Sequence, residues 1–551
     1  MDNPQRRPLD RSQIWMPLAL AVVLVFGMLL GGRLQQVVPA VYIDGATEDH
    51  AQAWKQGTIE ELIRYVEAKY VDSTDRRTMI ETAINSILNE LDPHSSYIPS
   101  EDLAEVNSQL EGNFDGIGVE FLMLDDTIVV VAPMTGGPSE SAGILAGDKI
   151  VQIEDSIVVG HNLKTEDIID MLRGEKGTPV KIGVLRAGEK RIRKFTVIRD
   201  KIPVHSVEVA CMLNKNTGYI KIIRFSANTY EEFMKSLEAL SKKGLKNIVL
   251  DLRYNPGGYL QQATNILSQF FTEKDKLLVY TEGRTVKRTE YKTTGRPSFD
   301  IENLVVLIDE GSASASEIIA GAIQDQDRGL IVGRRSFGKG LVQEQYRLSD
   351  GSALRLTVAR YYTPSGRSIQ KPYKGNDAYD EDVYQRYESG EFYAADKNVV
   401  LDSTKFYTKG GHVVYGGGGI MPDVFVPLDS VLMSDYYLSL RQHVSGFVFN
   451  YMRQHEKSFK GYQLTSFRNN FYTSDAIYQE FINYALSKGV KKKPAEMAAI
   501  KKEIKLFIKA RIARHLFDEE GFYMVWNDSD NIVKKALELL GNPDPIAAVK
   551  K

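Results

Sequence analysis

Cysteine is almost absent from this sequence: Cys211 is the single one among 551 residues. An intramolecular disulfide is therefore excluded, and so is lipidation of a cysteine near the N-terminus. Cys211 lies in the apolar run VEVACML, which predicts a buried, inert thiol. Excess charge is also lacking, since 69 Lys and Arg face 72 Asp and Glu, a formal net charge of −3. The composition therefore gives no reason to expect a nucleic-acid partner.

Histidine is scarce and poorly placed for metal or triad chemistry. The sequence has 8 histidines, and none lies between residues 206 and 411. Neither an HExxH pattern nor a cluster of His with Cys occurs, so we predict no metal site. We interpret His94, in LDPHSSY, as a turn residue rather than a catalytic one.

One long uncharged run lies near the N-terminus. Residues 14–32, IWMPLALAVVLVFGMLLGG, number 19 and are just long enough to cross a bilayer. Three arginines precede this run and only Arg33 follows closely, so residues 1–13 are predicted to stay in the cytoplasm. We expect a retained membrane anchor with the rest of the chain outside the cytoplasm, in the periplasm of a two-membrane bacterium. The alternative is a cleaved signal peptide, with VPA at 38–40 as a weak cleavage site.

Beyond the anchor, the hydrophobic patterns predict a multidomain α/β protein. Residues 47–100 predict a helical region with helices at 58–71 and 76–91, which packs on a larger body or pairs with a second subunit. Strands alternate with helices over 201–430, apart from an aperiodic insertion at about 372–412. Residues 431–551 have helical spacing throughout and predict a separate all-helical domain, in which we find no catalytic motif.

Residues 101–200 have short strands, a short helix, a Gly-Asp turn and an amphipathic helix, with AGILAGDKIVQIED at the centre. This order resembles a PDZ domain. Its GIGV loop matches the loop that binds a carboxylate in that family, where consecutive backbone N–H groups capture a peptide C-terminus. The candidate peptide-binding residues are Gly116, Ile117, Gly118, Val119 and Phe121. The alternative is that the two glycines only permit a tight turn.

The stretch 333–340, GRRSFGKG, fits the nucleotide-binding pattern G-x-x-x-x-G-K-[ST] except at Gly340. The missing hydroxyl residue is the one that ligates Mg²⁺ in such loops. The following residues alternate like a strand, whereas a nucleotide-binding loop leads into a helix. We therefore predict no nucleotide and look for another use of Lys339.

Three serines provide candidate nucleophiles. Ser312, Ser314 and Ser316 fall at the N-terminus of a predicted helix, where unpaired N–H groups would stabilise an oxyanion. Helix capping is the alternative for each of them. With no histidine in this part of the chain, a lysine is the candidate base, provided that burial or nearby positive charge keeps it neutral. Lys339, between two glycines and apolar segments, meets this requirement.

These motifs together resemble one family. GSASASEIIAGAIQD, GRRSFGKGLVQ and GIMPDVFVP, behind a PDZ-like module, are similar to the carboxyl-terminal processing proteases, also called tail-specific proteases, over about residues 50–430. The resemblance implies that Ser314 is the nucleophile, that Lys339, 25 residues later, is the base, and that Gln343 orients it. It also implies an oxyanion hole formed by the amides of Ala315 and of Gly258 or Gly257, and no cofactor.

The expected activity is a serine endopeptidase that recognises proteins by a free, preferably apolar C-terminus and processes or degrades exported proteins. Arg173 is a candidate link between the PDZ-like domain and the protease core, the alternative being a solvated arginine at a helix end. The insertion and the C-terminal domain lie outside the family pattern and are candidates for gating, homo-oligomer formation or binding of an adaptor. A non-catalytic binding protein is disfavoured because the three catalytic candidates are all present.

Overall fold

The computed structural model of the chain describes residues 57–373, 379 and 381–550. The predicted cytoplasmic segment (1–13) and membrane anchor (14–32) lie outside these residues, as does part of the insertion. None of the described helices is both long and apolar enough to cross a membrane. The chain divides into two compact units, Met1–Thr82 and Ala83–Lys551.

Both helices predicted before residue 92 are present. They are α1 (Thr58–Lys69) and α2 (Arg76–Asn89), the second of which crosses the boundary between the two units. Within the first unit, Arg76 joins α2 to α1 through ion pairs with Glu60 at 2.5 Å and Glu67 at 2.7 Å. These charges lie on an exposed surface, so they add little stability.

A short strand and a helix precede the PDZ-like module: β1 (Ser96–Ile98) and α3 (Leu103–Glu111). The module itself contains β2 (Asn113–Gly116), β3 (Val119–Leu124), β4 (Thr127–Pro133), α4 (Pro138–Ala142), β5 (Lys149–Ile153), β6 (Ser156–Ile157), α5 (Thr165–Leu172), β7 (Pro179–Leu185), β8 (Arg193–Ile198) and β9 (Asp200–Pro203). Its main sheet is antiparallel with the order β3-β4-β5-β7-β8, so β3 is an edge strand. Strands β2 and β9 pair with each other where the chain enters and leaves the module.

The predicted protease core, residues 201–430, is built on a six-stranded sheet of order β10-β11-β12-β15-β16-β21, in which β21 is Val424–Phe425. All neighbours are parallel except β10 and β11. Its strands and the helices between them are β10 (Val207–Met212), β11 (Thr217–Ile222), α6 (Thr229–Ser241), β12 (Asn247–Asp251), α7 (Leu260–Ser268), β13 (Lys274–Glu282), β14 (Thr289–Thr294), β15 (Asn303–Ile308), α8 (Ala315–Asp325) and β16 (Leu330–Gly333). Residues of α6, α7 and α8 form one hydrophobic cluster with the sheet, as the β-α alternation predicts.

A second sheet has a strand that begins directly after the loop that carries Lys339. It includes β17 (Leu341–Arg347) and β18 (Ala353–Tyr362), with β1-β18-β13-β14 as the main order and β17 paired to β18. Because β1 pairs with β18 from Ser96↔Arg355 to Ile98↔Ala353, the segment before the PDZ-like module is part of this sheet.

Few regular elements occur in the insertion and the end of the core: α9 (Asp382–Glu388), β19 (Lys405–Tyr407), β20 (Val413–Tyr415) and β21 (Val424–Phe425). The remaining helices are α10 (Asp435–Gln454), α11 (Glu456–Phe459), α12 (Leu464–Asn470), α13 (Asp475–Ser487), α14 (Pro494–Trp526), α15 (Asn531–Leu540) and α16 (Pro545–Val549). Helices α10 to α14 share a hydrophobic core of their own, and α14 is kinked at Phe517 and Asp518.

The last helices depart from the predicted separate domain. Buried residues of α15, including Ile532, Val533 and Ala536, pack against the protease sheet on the side opposite α8. The apolar stripe of α15 covers Val249 and Val305 of two parallel strands, which need cover on both faces. The sequence shows that this helix is amphipathic, but not which surface it covers.

Candidate active site

Ser314 lies in a strained turn between β15 and α8. Its φ of 53° and ψ of −113° are unusual for a residue with a side chain. In the part of the chain that the structure describes, its half-buried hydroxyl makes no hydrogen bond. The neighbouring serines are buried and bonded to backbone: Ser312 Oγ donates to Leu252 O at 2.8 Å and Ser316 Oγ to Asn255 O at 3.0 Å. Ser314 is thus the one of the three with a free hydroxyl.

Lys339 lies in the loop between β16 and β17. Its Nζ donates to Gln343 Oε1 at 2.9 Å, and Gln343 Nε2 donates to the backbone oxygen of His94 at 2.5 Å. Burial lowers the pKa of Lys339, and the nearby charge of Arg355 lowers it further. Both effects favour the neutral amine, which is the form that accepts a proton.

A single buried carboxylate holds the backbones of Ser314 and Lys339 together. Glu317 Oε2 accepts from the N–H of Ser314 at 2.8 Å and of Lys339 at 2.9 Å. Glu317 Oε1 accepts from the Ser336 hydroxyl at 2.6 Å and the Gly338 N–H at 2.7 Å. Burial raises the pKa of Glu317 to about 7 despite these four donors.

Tyr361 makes a second bridge between the same two residues. Its buried hydroxyl donates to Lys339 O at 2.6 Å and lies 3.1 Å from Ser314 O. Neither Tyr361 nor Glu317 was identified from the sequence as a site residue. Glu317 did carry a signal, since an acidic residue three positions after a helix N-cap often accepts from the N-cap amide. Tyr361 on β18 carried none.

Two backbone N–H groups near Ser314 have no partner among the described residues. They belong to Ala315, the first residue of α8, and to Gly258. The N–H of Gly257 instead donates to Asn255 Oδ1 at 2.9 Å. A Cβ on Gly257 would lie 2.7 Å from Ser314 Cβ, so this turn packs directly against the serine. Of the two glycines that were predicted for the oxyanion hole, Gly258 is therefore the one whose amide can donate to a substrate oxygen.

The 333–340 stretch is not arranged like a nucleotide-binding loop. Strand β17, rather than a helix, follows it, and two of its amides already donate to Glu317. Its arginines are buried in ion pairs: Arg334 with Glu310 at 2.8 Å and Arg335 with Glu391 at 2.7 Å. The stretch therefore serves to anchor Lys339.

The predicted peptide-binding loop lies at the start of edge strand β3. The amides of Ile117 and Gly118 have no partner in the described part of the chain. The side chain of Ile117 is buried in the hydrophobic core of the PDZ-like module, and Val119 and Phe121 pack half-buried against that core. A strand edge without a partner strand, beside unpaired amides, is the geometry that binds an extended peptide and its terminal carboxylate.

Arg173 does not contact the protease strands or Lys339. Its guanidinium pairs with Glu105 of α3 at 2.5 Å and lies 5.2 Å from the centre of the Phe114 ring on β2. It therefore joins the PDZ-like module to the segment directly before it. Among the described residues, no group of three or more His, Cys, Asp or Glu is placed to hold a metal ion.

Comparisons with known proteins agree with this architecture. The family model of peptidase family S41 matches residues 216–378, that of the PDZ domain matches 116–198, and that of a family of unknown function matches 436–518. The carboxy-terminal-processing protease of Bartonella bacilliformis is 37% identical over 356 residues, 63% of this chain and 80% of that protein. The carboxy-terminal processing protease CtpB of Bacillus subtilis is 33% identical over 366 residues, 64% of this chain and 75% of that protein.

Among solved structures, the photosystem II D1 C-terminal processing protease is 30% identical, with a TM-score of 0.34 and coverage of 69% of this chain and 92% of that chain. A PDZ domain joined to an S41 core defines a serine-type peptidase that acts on polypeptides. The chain belongs to the carboxy-terminal processing proteases. The family predicted from the motifs is confirmed.

Proposed function

We propose that Ser314 is the nucleophile and Lys339 the general base of this peptidase. The observation that carries the proposal is that one carboxylate, Glu317 Oε2, accepts from the amides of both residues. Two residues 25 positions apart are thereby held side by side, one with a free hydroxyl and the other with a pKa lowered by burial. Serine-lysine pairs are an established variant of serine-peptidase chemistry.

In the proposed reaction, neutral Lys339 removes the hydroxyl proton of Ser314, and Oγ attacks the substrate carbonyl carbon. The amides of Ala315 and Gly258 donate to the resulting oxyanion. Lys339 then returns the proton to the leaving nitrogen as the C–N bond breaks. A water molecule, deprotonated by the same amine, attacks the acyl carbon, and the bond from that carbon to Ser314 Oγ breaks. Lys339 returns the proton to Oγ, which restores the free enzyme. Gln343 Oε1 accepts a hydrogen bond from the Lys339 amine throughout, so the lone pair of that amine stays directed to Ser314.

For substrate selection, we propose that a free apolar C-terminus binds at the loop of Gly116 to Val119, beside Phe121. The two unpaired amides in this loop and the outer edge of β3, which pairs with no strand that the structure describes, support this assignment. Binding there keeps the adjoining polypeptide near Ser314 and raises its local concentration. The substrates are therefore proteins with exposed, unstructured C-terminal tails.

The test of the chemistry is cleavage of one unstructured polypeptide ending in an apolar residue by the full-length protein in detergent. Wild type should yield fragments by mass spectrometry, whereas Ser314→Ala and Lys339→Ala should yield none. Ser487→Ala, at an exposed position in α13, is the matched control and should cleave normally. Cleavage by Ser314→Ala would contradict the assignment. Amidation of the substrate C-terminus should raise KM, because an amide cannot replace the carboxylate at the loop.

We also propose that residues 14–32 anchor the protein in a membrane with the catalytic part outside the cytoplasm. The uncharged run and the preceding arginines support this placement. The protein should remain in the membrane fraction after alkaline carbonate washing, and deletion of residues 1–33 should release it. N-terminal sequencing of the mature protein distinguishes an anchor from a cleaved signal peptide. Cross-linking in the same membranes tests for a second copy or an adaptor.

A further inference from the structure

The turn of residues 92–95 precedes the PDZ domain in the chain, yet it lies beside the candidate base. Asp92 is buried, and its Oδ1 accepts from the amides of His94 at 2.8 Å and Ser95 at 2.9 Å. Its Oδ2 accepts from the Ser95 hydroxyl at 2.7 Å. This carboxylate thus fixes the turn, including the direction of the backbone carbonyl of His94.

Thr357 attaches the turn to β18. Its hydroxyl donates to Asp92 Oδ1 at 3.1 Å, and its amide donates to Ser95 Oγ at 3.1 Å. Thr357 is also the residue opposite Gln343 in the pairing of β17 with β18. The turn is therefore fixed at the same position along the sheet as the side chain that contacts Lys339.

The His94 carbonyl decides which way the Gln343 amide faces. A carbonyl oxygen only accepts, so the atom 2.5 Å from it must be the NH₂ group of Gln343. Gln343 Oε1 then faces Lys339 Nζ and accepts from it at 2.9 Å. In the reverse orientation the NH₂ group would face the amine and occupy its lone pair. A lysine in that arrangement could not take a proton from serine.

We propose that Asp92 is a positioning residue for the peptidase base: through the turn it orients Gln343, so that the lone pair of Lys339 is left for Ser314. This inference rests on the proposed Ser314–Lys339 chemistry. It assigns a task to the segment before the PDZ domain, which supplies no side chain to the proposed reaction itself.

Asp92 also acts on Lys339 through its charge. Asp92 and Glu317 raise the pKa of Lys339, against the larger lowering by burial and the lowering by Arg355. His94 stays uncharged near neutrality, since burial and the charge of Lys339 lower its pKa to about 4. Removal of the Asp92 charge therefore lowers the pKa of Lys339, and the amine becomes neutral at a lower pH.

The test compares full-length wild type, Asp92→Asn and Ser95→Ala by kcat and KM on the peptide substrate across a range of pH. In Asp92→Asn we expect kcat to fall by about 10- to 100-fold with little change in KM, because Gln343 loses its fixed orientation. The acidic limb of the pH profile should move to lower pH. Ser95→Ala keeps the carboxylate and its contact with the Thr357 hydroxyl but loses the acceptor of the Thr357 amide. In this variant kcat should therefore fall by roughly 3- to 10-fold without that movement.

Asp102→Asn, at an exposed position directly before α3, is the matched control and should behave as wild type. A wild-type kcat in Asp92→Asn, or a lower kcat with an unmoved acidic limb, would overturn the positioning role. If melting shows that Asp92→Asn does not fold, Ser95→Ala decides: an unchanged kcat overturns the inference and a reduced kcat supports it. Ser314→Ala and Lys339→Ala are included in the same assay. Cleavage by either would reject the proposed chemistry itself, and the inference with it.

Discussion

The protease core and the PDZ domain both use ion pairs, but in opposite surroundings. In the loop that carries Lys339 and the neighbouring insertion, Arg335 and Arg386 share Glu391, and the three side chains are 4%, 4% and 2% exposed. Where the PDZ domain meets the C-terminal helices, Glu120 pairs with Arg514, and these side chains are 45% and 33% exposed. Ion pairs thus hold side chains in a single arrangement in the protease core, whereas at the PDZ domain they contribute only weakly to the contact with the C-terminal helices.

This difference follows from what each region must do. A buried charge without its partner is costly, so a buried network tolerates one arrangement only. Arg386 also donates to the backbone oxygens of Arg335 and Ser336, which ties the insertion to the loop that carries Lys339. Exposed pairs are weak and screened by salt, so a domain held by them changes position at little cost.

The largest expected effect is on Glu391. Glu391→Gln leaves the buried Arg335 without a counter-charge and leaves Arg386 with only Asp382, 3.9 Å away, so the free energy of unfolding should fall by about 3–5 kcal/mol. Urea denaturation followed by circular dichroism measures it. Glu189→Gln, which breaks an exposed pair with Arg193, is the control and should leave the free energy of unfolding nearly unchanged. Equal losses in the two variants would remove the contrast between the regions.

Glu317→Gln should lower kcat by roughly 100-fold, because an amide side chain has one acceptor oxygen and leaves two of the four donors without an acceptor. The lost pair is either the Ser314 and Lys339 amides or the Ser336 hydroxyl and Gly338 amide, and both pairs position the loop of Lys339. KM should change little, since Glu317 lies under the reacting groups and not in the PDZ groove. Glu302→Gln, at an exposed position that pairs with Lys246, is the control. A variant with normal kcat would show that Tyr361 alone holds the two backbones in place.

Arg355→Gln tests the electrostatics of the base. The positive charge of Arg355 lowers the pKa of Lys339, so its removal raises that pKa and keeps the amine protonated to a higher pH. The acidic limb of the kcat/KM profile should therefore move to higher pH, the opposite of the change expected for Asp92→Asn. Activity at neutral pH should fall several-fold. Arg360→Gln, exposed on the same strand, should leave the profile unmoved.

The smallest effect is expected at the contact between the PDZ domain and the C-terminal helices. Glu120→Gln combined with Asp125→Asn removes the pairs with Arg514 and Lys488. Because these pairs are partly exposed, the free energy of unfolding should fall by less than about 1 kcal/mol per pair. Thermal melting at low and high salt measures the change. A loss as large as that of Glu391→Gln would mean that this contact is also rigid.

The sequence predicted most features that depend on residues near one another in the chain, such as helices, strands and turns. The turn-to-helix pattern around Ser314 and the glycines around Lys339 marked residues that the structure brings together, and Gln343, which the family resemblance indicated, contacts Lys339. Their catalytic roles stay predictions. Contacts between distant segments were missed, since no local pattern encodes them. His94 was interpreted as a turn residue, and it lies in a turn. The role that we propose for it lies in its backbone carbonyl, which side-chain chemistry does not reveal.

Two further expectations concerned contacts between parts of the chain. Arg173 was a candidate link between the PDZ domain and the protease core, with a solvated arginine at a helix end as the alternative, and it contacts Glu105 of α3 and Phe114 of β2. Helix α15 was grouped with the C-terminal helices, but it covers the protease sheet. An amphipathic pattern predicts that one face of a helix is buried, but it does not predict which surface of the protein that face packs against.

The paired strands β2 and β9 give the PDZ domain a common entrance and exit, since Asn113↔Pro203 and Gly116↔Asp200 are neighbours across them. Paired strands lie about 5 Å apart, so the ends of the module almost meet. A domain whose two ends are adjacent can be exchanged for another. A different binding domain with similarly spaced ends would connect to the same two positions of the protease core without changing the distance between them. New specificities would then arise by exchange of this module, with the machinery that cuts the peptide bond left untouched.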